Sequence, residues 1–399
     1  MPQVVAKPDH VPDELVRDFD FTHPPGMEDG AHAAWKRLHN GPDIFWTPHY
    51  GGHWVATRAE DIETIQKDYQ RFSHEVFSLP REAKPLRFLP LEVDPPVHEA
   101  YRKVISPPFT PKAIAKLEGV ARELTIKLIE GFKAKGQCEF VSDFSRHLPV
   151  TVFLGIADLP LDRREQFIAW ADAAARGGGD LELKKRAFGE AFAYLSKVID
   201  ERTANPGQDL LSEVVHGKIN GREPTREERL GMGILLFFGG IDTVASMLSF
   251  IALFLATHAE HRKQLVQNPQ IVPQAVEEFL RRHGLSNTVR LITEDFEYKG
   301  VPFRKGDLIQ VPISLHGLDD RRWEHPMDVD FNRKTTFHAT FGNGPHRCPG
   351  SNLARTEIRV FLQEWMPRIP DFTIPKGEKV VTATGNVNAV EYLPLEWSV

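Results

Sequence analysis

One of the chain's two cysteines stands in a stretch that exposes it. In "FGNGPHRCPG", residues 341–350, Cys348 is flanked by Gly342, Gly344 and Gly350 and followed by Pro349. Proline suits the first turn of a helix, where its missing N–H is not needed, so a helix is expected to start beside the thiol. There the free N–H groups and the dipole favour thiolate. The glycines, lacking Cβ, let something flat and bulky approach the backbone. Two uses fit: a thiolate beneath a planar metal macrocycle, since haem iron accepts a cysteine ligand, or an inert cysteine in a glycine-rich turn. The stretch alone leaves both open.

Three other groupings have chemical potential. In "FFGGIDTVASM", Asp242 and Thr243 place an acid beside an alcohol in an apolar run after Gly239-Gly240. A buried acid is costly without partners. Either local hydrogen bonds satisfy the pair or it handles protons. In "EEFLRR", Glu278 and Arg281 are neighbours on one helix face, a spacing that by itself reads as a solvated bridge. In "DPPVHEAYR", Asp94 is an expected cap, and His98 and Arg102 share a face suited to carboxylates.

The elements that carry these residues follow from composition and periodicity. Apolar residues make up 41% and charged residues 26%, ordinary for a soluble globular protein. A net charge of −6 argues against nucleic acid, which needs a clustered basic surface. Cys138 and Cys348 are too far apart in sequence to read as a disulfide framework or zinc knuckle. Residues 234–256 are long enough to span a bilayer, but Asp242 at the centre would cost roughly 2.5–3.5 kcal/mol there. Thr225 and Glu228 in "PTREERL" have capping-box spacing, so a buried helix is expected and no membrane. The start, "MPQVVAKPDHVPDEL", shows no charged leader before an apolar core. A cytoplasmic protein is expected.

"DIFWTPHYGGHWVATR" (43–58) predicts a hairpin about Tyr50-Gly51-Gly52. Helical spacing dominates from about 112 to 285, and strands return in 289–313 and in "AVEYLPLEWSV". "RGGGD" (176–180) follows helical sequence where a phosphate loop would need a strand, so a helix–helix connection is expected. The fold class is mainly α with smaller β-sheets, in a single domain over 1–399.

The pattern Phe341-x-x-Gly344-x-His346-x-Cys348-x-Gly350 resembles the haem-binding signature of the cytochrome P450 family, in which the cysteine ligates iron. The family usually has arginine where His346 stands; the camphor hydroxylase subfamily, which the chain resembles most, also has histidine. The resemblance runs from about residue 15 to the end and implies a long central oxygen-binding helix. It implies that Glu278 and Arg281 are the E-x-x-R pair, joined by Arg333 to brace the thiolate loop. His98, Arg102, Arg290 and His346 would hold the carboxylates of haem b, and Cys348 its iron. Asp242-Thr243 would supply protons for oxygen cleavage.

The implied activity is monooxygenation with O2 and two electrons, delivered by a 2Fe–2S ferredoxin and an FAD-containing reductase. Arg102, Lys103 and Arg347 would be basic contacts for that partner. Leu86, Phe88, Leu235, Phe238, Gly239, Ser286, Asn386 and Val387 would form the substrate pocket, an apolar lining that suits a terpenoid. Leu86 stands where the camphor enzyme has a tyrosine donor, so an ionone-like norisoprenoid is expected over camphor. Two rival readings keep the haem: a peroxide-driven peroxygenase and a non-catalytic haem-thiolate sensor. The acid–alcohol pair speaks against both.

Overall fold

The computed structural model describes residues 4–81, 86–176, 181–334 and 337–399. The predicted hairpin is present: Ile44–Thr47 pairs antiparallel with His53–Ala56, Trp46 opposite Trp54. Its turn places Tyr50, Gly51 and Gly52 at φ 56°, 86° and 82°, a left-handed path that glycine follows without a Cβ penalty. The second strand pairs in parallel with Leu308–Pro312, which runs antiparallel to Asn287–Ile292. Phe72–Ser73 closes the five-stranded sheet. Both hairpin strands and Leu308–Pro312 are buried at every residue. Arg290 therefore leaves the sheet from a buried position opposite Ile309.

The helix Arg226–Thr257, 32 residues long, rises about 48 Å at ~1.5 Å per residue. It begins on the predicted capping box: Glu228 N–H donates to Thr225 Oγ1 at 3.3 Å, and Thr225 N–H to Glu228 Oε2 at 2.7 Å. Among the described residues it alone is long and apolar enough to cross a membrane, yet 67% of its apolar window is buried inside the protein. It is a core helix, apolar on all sides because it is surrounded.

Its two halves serve two cores. Ile234, Leu236, Phe237 and Ile241 pack with Phe153, Phe167 and Leu211. Val244, Met247, Leu248 and Ile251 pack with Phe144, Phe279, Phe361 and Trp365. The seam falls in the Gly239–Thr243 stretch. A third core lies on the sheet, around Trp35, Trp54 and Phe303.

The E-x-x-R helix spans Val272–Arg282, and the helix after the thiol spans Ser351–Arg368. Two cover helices, Arg164–Arg176 and Leu181–Ala204, flank the "RGGGD" segment, whose residues 177–180 lie outside the described residues.

Candidate functional site

A cavity of about 420 Å³ opens where the seam of the central helix meets the thiol loop. Cys348, His98, Arg102, Arg290, His346 and Thr243 all line it, as do Phe88, Leu235, Phe238, Gly239, Ser286, Asn386 and Val387. Residues from five distant stretches of sequence thus share one space.

Around the thiol, Gly342 and Gly344 take φ 72° and 73°. A Cβ on Gly344 would come within 2.7 Å of the Gln66 carbonyl oxygen, so this position needs glycine on two counts. Cys348 N–H donates to Phe341 O at 2.8 Å and closes the loop. The helix starts at Ser351 with Gly350 as its cap, so Pro349 precedes the helix rather than occupying its first turn. The Gly350 N–H and nearby guanidiniums favour thiolate as expected, and burial opposes them. The sulfur is open to the cavity but deep, and burial raises its pKa against the Gly350 N–H and the guanidiniums of Arg102, Arg355 and Arg347.

The E-x-x-R pair is not solvated. Arg281 donates from Nε and Nη2 to the two oxygens of Glu278 at 2.9 and 2.8 Å, with side-chain exposures of 0% and 1%. Arg333 Nε donates to Glu278 Oε1 at 3.0 Å, and the Asp330 N–H reaches the same oxygen. Arg281 spends its remaining donors on the carbonyls of Gly317, Pro326 and Asp328. Beside this network, Arg355, on the helix after the thiol, makes a two-pronged pair with Glu277, which also meets His338.

His98, His346 and a third imidazole, His74, form a buried cluster. The His74 and His346 rings stack at 3.8 Å, and His98 lies 4.3 Å from His346. Burial first, then neighbouring positive groups, holds all three below the ordinary histidine range, His98 at about 4. Burial likewise lowers Arg290 to about 9. Asp94 meets this cluster, 3.6 Å from His346, and accepts from Ser73 Oγ and from the His74 N–H at 3.0 Å. Its side chain does not cap the helix Val97–Ile105 as expected; Pro96 holds the cap position. Both ring nitrogens of His98 and one of His74 are buried without hydrogen-bond partners, and His346 Nε2 has only Asp94 beside it, 3.6 Å away. Several donors facing little negative charge fit a ligand with carboxylates.

On the central helix, Thr243 Oγ1 donates to Gly239 O at 3.3 Å. A Cβ on Gly240 would meet nothing within 4 Å, and one on Gly239 only Leu235 at 3.9 Å, so the glycine pair leaves room on the cavity side. Asp242 is half-buried and outside the cavity wall. Leu86 is also outside it, a correction to the expected pocket. It packs against the small cluster of Ile199, Val215 and Leu230 and against the larger one that includes Phe88 and Leu236.

In sequence, the chain matches the cytochrome P450 family model over residues 177–368. It is 34% identical to a probable cytochrome P450 127A1 of Sinorhizobium fredii, over 98% of this chain and 97% of that one. The chain belongs to the cytochrome P450 family. It is also 31% identical to the erythromycin C-12 hydroxylase of Saccharopolyspora erythraea, over 89% and 91% of the two chains. Crystal structures of cytochrome P450 CYP101C1 and CYP101J2 superpose with TM-scores of 0.92 and 0.91, at 37% and 35% identity. Each comparison covers 99% of this chain and all of the other. The family carries haem with a cysteine thiolate on its iron and acts as an oxidoreductase, a monooxygenase that takes O2 and electrons from redox partners. The thiol, the under-partnered imidazoles and the open glycine pair in one cavity fit that group.

Two titratable cavity residues escaped the sequence reading. His74 gave no local signal, because its partner His346 is far along the chain. Glu357, on the helix after the thiol, is 1% exposed, has an unpartnered oxygen, and is raised by burial to about 8. Its sequence context reads as an ordinary helical glutamate.

Proposed function

We propose that this P450 hydroxylates a compact apolar terpenoid or norisoprenoid, with Cys348 as the iron ligand. Electrons would come from a 2Fe–2S ferredoxin and its FAD-containing reductase. The observation that carries the reading is that Cys348, the basic cluster and the Gly239–Thr243 seam face one cavity. Cys138 is no alternative ligand, since it lies buried on the strand Gln137–Glu139, opposite Leu395.

Bound haem would supply oxygen activation and C–H oxidation; this chain's residues supply position and protons. Arg290, Arg102, His98 and His346 would bind the two carboxylates, with His74 stacked behind His346. Glu278, Arg281 and Arg333 would keep the segment leading to the thiol loop in place. Thr243 Oγ1 holds its proton on a long bond to Gly239 O, from which it can turn into the cavity. Asp242, half-buried one residue earlier, would pass protons inward from water. Phe88, Leu235, Phe238 and Val387 exclude water.

The substrate reading rests on polarity. The Asn386 amide is committed to the backbone of Leu79 at 3.2 and 2.9 Å, and Leu86 supplies no donor. Ser286 presents a hydroxyl to the cavity, enough for one ketone. Exposed Lys103 and Arg347, with Arg102 donating to the Arg347 carbonyl, support an acidic ferredoxin on that face. The relatives align over almost the whole chain, which supports one domain over 1–399, and the buried central helix supports a cytoplasmic enzyme.

The test is the carbon monoxide difference spectrum of the reduced protein. A strongly red-shifted Soret band is expected, and Cys348→His should abolish it; a histidine-type band in the unaltered chain would defeat the assignment. With ferredoxin and reductase, NADH-dependent product separates this reading from a peroxygenase or a sensor. Thr243→Ala should keep consuming NADH while product falls about tenfold or more.

A further inference from the structure

Four phenylalanines from three parts of the chain form one continuous column of rings. Phe77 and Phe88, in the segment after the strand Phe72–Ser73, lie 5.8 Å apart between ring centroids. Phe88 in turn lies 5.8 Å from Phe188 of the cover helix Leu181–Ala204, at 20° between planes. Phe188 then stacks on Phe238 of the central helix at 4.8 Å and 7°. Phe77, Phe88 and Phe238 belong to the cavity wall and Phe188 does not. It stands behind the wall and joins its two sides.

The surrounding backbone shows why the column is held there. The Phe88 N–H donates to Glu92 Oε2 at 2.6 Å, and the Glu92 N–H returns to Phe88 O at 2.9 Å, which fixes the turn presenting the ring. A Cβ on Gly231 would come within 2.4 Å of the Arg87 carbonyl oxygen, so the loop rests directly on the central helix. A Cβ on Gly233 would come within 2.8 Å of Ile199, so the cover helix rests on the same helix two residues further on. The loop is seated about two turns before Phe238 and the cover helix about one and a half. Phe188 is the ring through which loop, cover helix and central helix meet.

We propose that Phe188 is a positioning residue for substrate selection: without touching the substrate, it holds Phe88 and Phe238 together and thereby keeps the cavity to one-ring apolar compounds. Each of its two ring pairs favours a defined offset or parallel geometry, so the flat ring, not merely its volume, sets the wall. The size limit rests on the terpenoid reading above only for the identity of the compounds.

The test uses the haem-loaded full chain, as wild type, Phe188→Ala, Phe188→Leu and Phe188→Trp. Three probes are titrated by their Soret shifts: imidazole, the much bulkier 1-(4-biphenylyl)imidazole, and an ionone. Hydrogen exchange is followed over residues 86–93. Phe188→Ala should leave imidazole binding within about twofold, bind the bulky azole about tenfold tighter and faster, and bind the ionone about tenfold more weakly. It should also speed exchange in the loop, which does not contain residue 188. Phe188→Trp should restore the wild-type pattern, and Phe188→Leu should resemble Phe188→Ala. If Phe188→Ala does not fold, Phe188→Leu decides alone. Unchanged azole discrimination and unchanged loop exchange in whichever variant folds would overturn the proposal. An ionone that fails to shift the wild-type spectrum would defeat the substrate reading instead, and the azoles and the exchange would still decide the role of Phe188.

Discussion

The support of the thiol loop and the phenylalanine column are built on opposite principles. Behind the loop, Glu278 is held by Arg281, Arg333 and the Asp330 N–H, all within 3.0 Å, at 1% side-chain exposure. In the column, rings from loop, cover helix and central helix meet face to face at 4.8 and 5.8 Å, and stacking itself supplies no directional hydrogen bond. A saturated buried network fixes one arrangement, because each lost partner leaves a charge uncompensated. Ring contacts are individually weak and can part and re-form. In the readings proposed above, the first would keep the thiol loop in place and the second would set the cavity wall.

The largest effect should come from breaking the saturated side. Glu278→Ala leaves Arg281 buried and unpaired, and a broken buried pair costs about 3–5 kcal/mol. Chemical unfolding should show that loss, together with a haem band drifting from the thiolate type. A loss below about 1 kcal/mol would mean that the network is not the rigid half of the comparison.

Glu357 sharpens the contrast, since it is a buried acid without such partners. Burial raises its folded pKa from 4.5 to about 8. The unfolded chain therefore sheds this proton first, and stability falls as pH rises from about 4.5 toward 8. Glu357→Gln removes that slope. It should match the wild type near pH 4.5 and exceed it by on the order of a few kcal/mol at pH 8. Melts at the two pH values decide it, and equal differences at both would refute the burial argument.

On the ring-stacked side, Phe238→Val should lower stability by only about 1–2 kcal/mol, because the ring faces the cavity. Its effect on azole selectivity should be larger than its effect on unfolding. A variant that loses stability as Glu278→Ala does would erase the distinction between the two regions.

What the sequence made legible follows the same division. The thiol loop, the E-x-x-R spacing, the capping box and the hairpin are local patterns, and their physics acts within a few residues. The resemblance then supplied partners that spacing cannot, such as Arg333 for Glu278. Contacts between distant segments stayed hidden. His74 meets His346 and Phe188 meets Phe238 only because the fold brings them together, and neither has a helical or strand period that announces it. Local signals also misled. Asp94 before two prolines reads as a cap, but its oxygens go to Ser73 and His74. Leu86 matches an expected pocket position, but its side chain packs against neighbouring apolar clusters and does not line the cavity.

The smallest predicted effect tests the border of the rigid region. Glu277 links the E-x-x-R helix to the helix after the thiol through Arg355, with Nε–Oε1 at 2.6 Å and Nη2–Oε2 at 3.0 Å. Burial raises its pKa, but His338 and Arg355 outweigh that and hold it at about 2, below the ordinary 4.5. Its stabilising contribution is therefore fully present above pH 4.5 and is lost as pH falls toward about 2. The side chain is one-third exposed, so solvent screens the pair and the loss at neutral pH should be small. Glu277→Gln should unfold within about 1 kcal/mol of the wild type at pH 7, with a shallower acid limb between pH 4.5 and 2. Parallel acid limbs in the two proteins would place Glu277 outside the network that holds the loop, leaving Glu278, one residue away, to hold it alone.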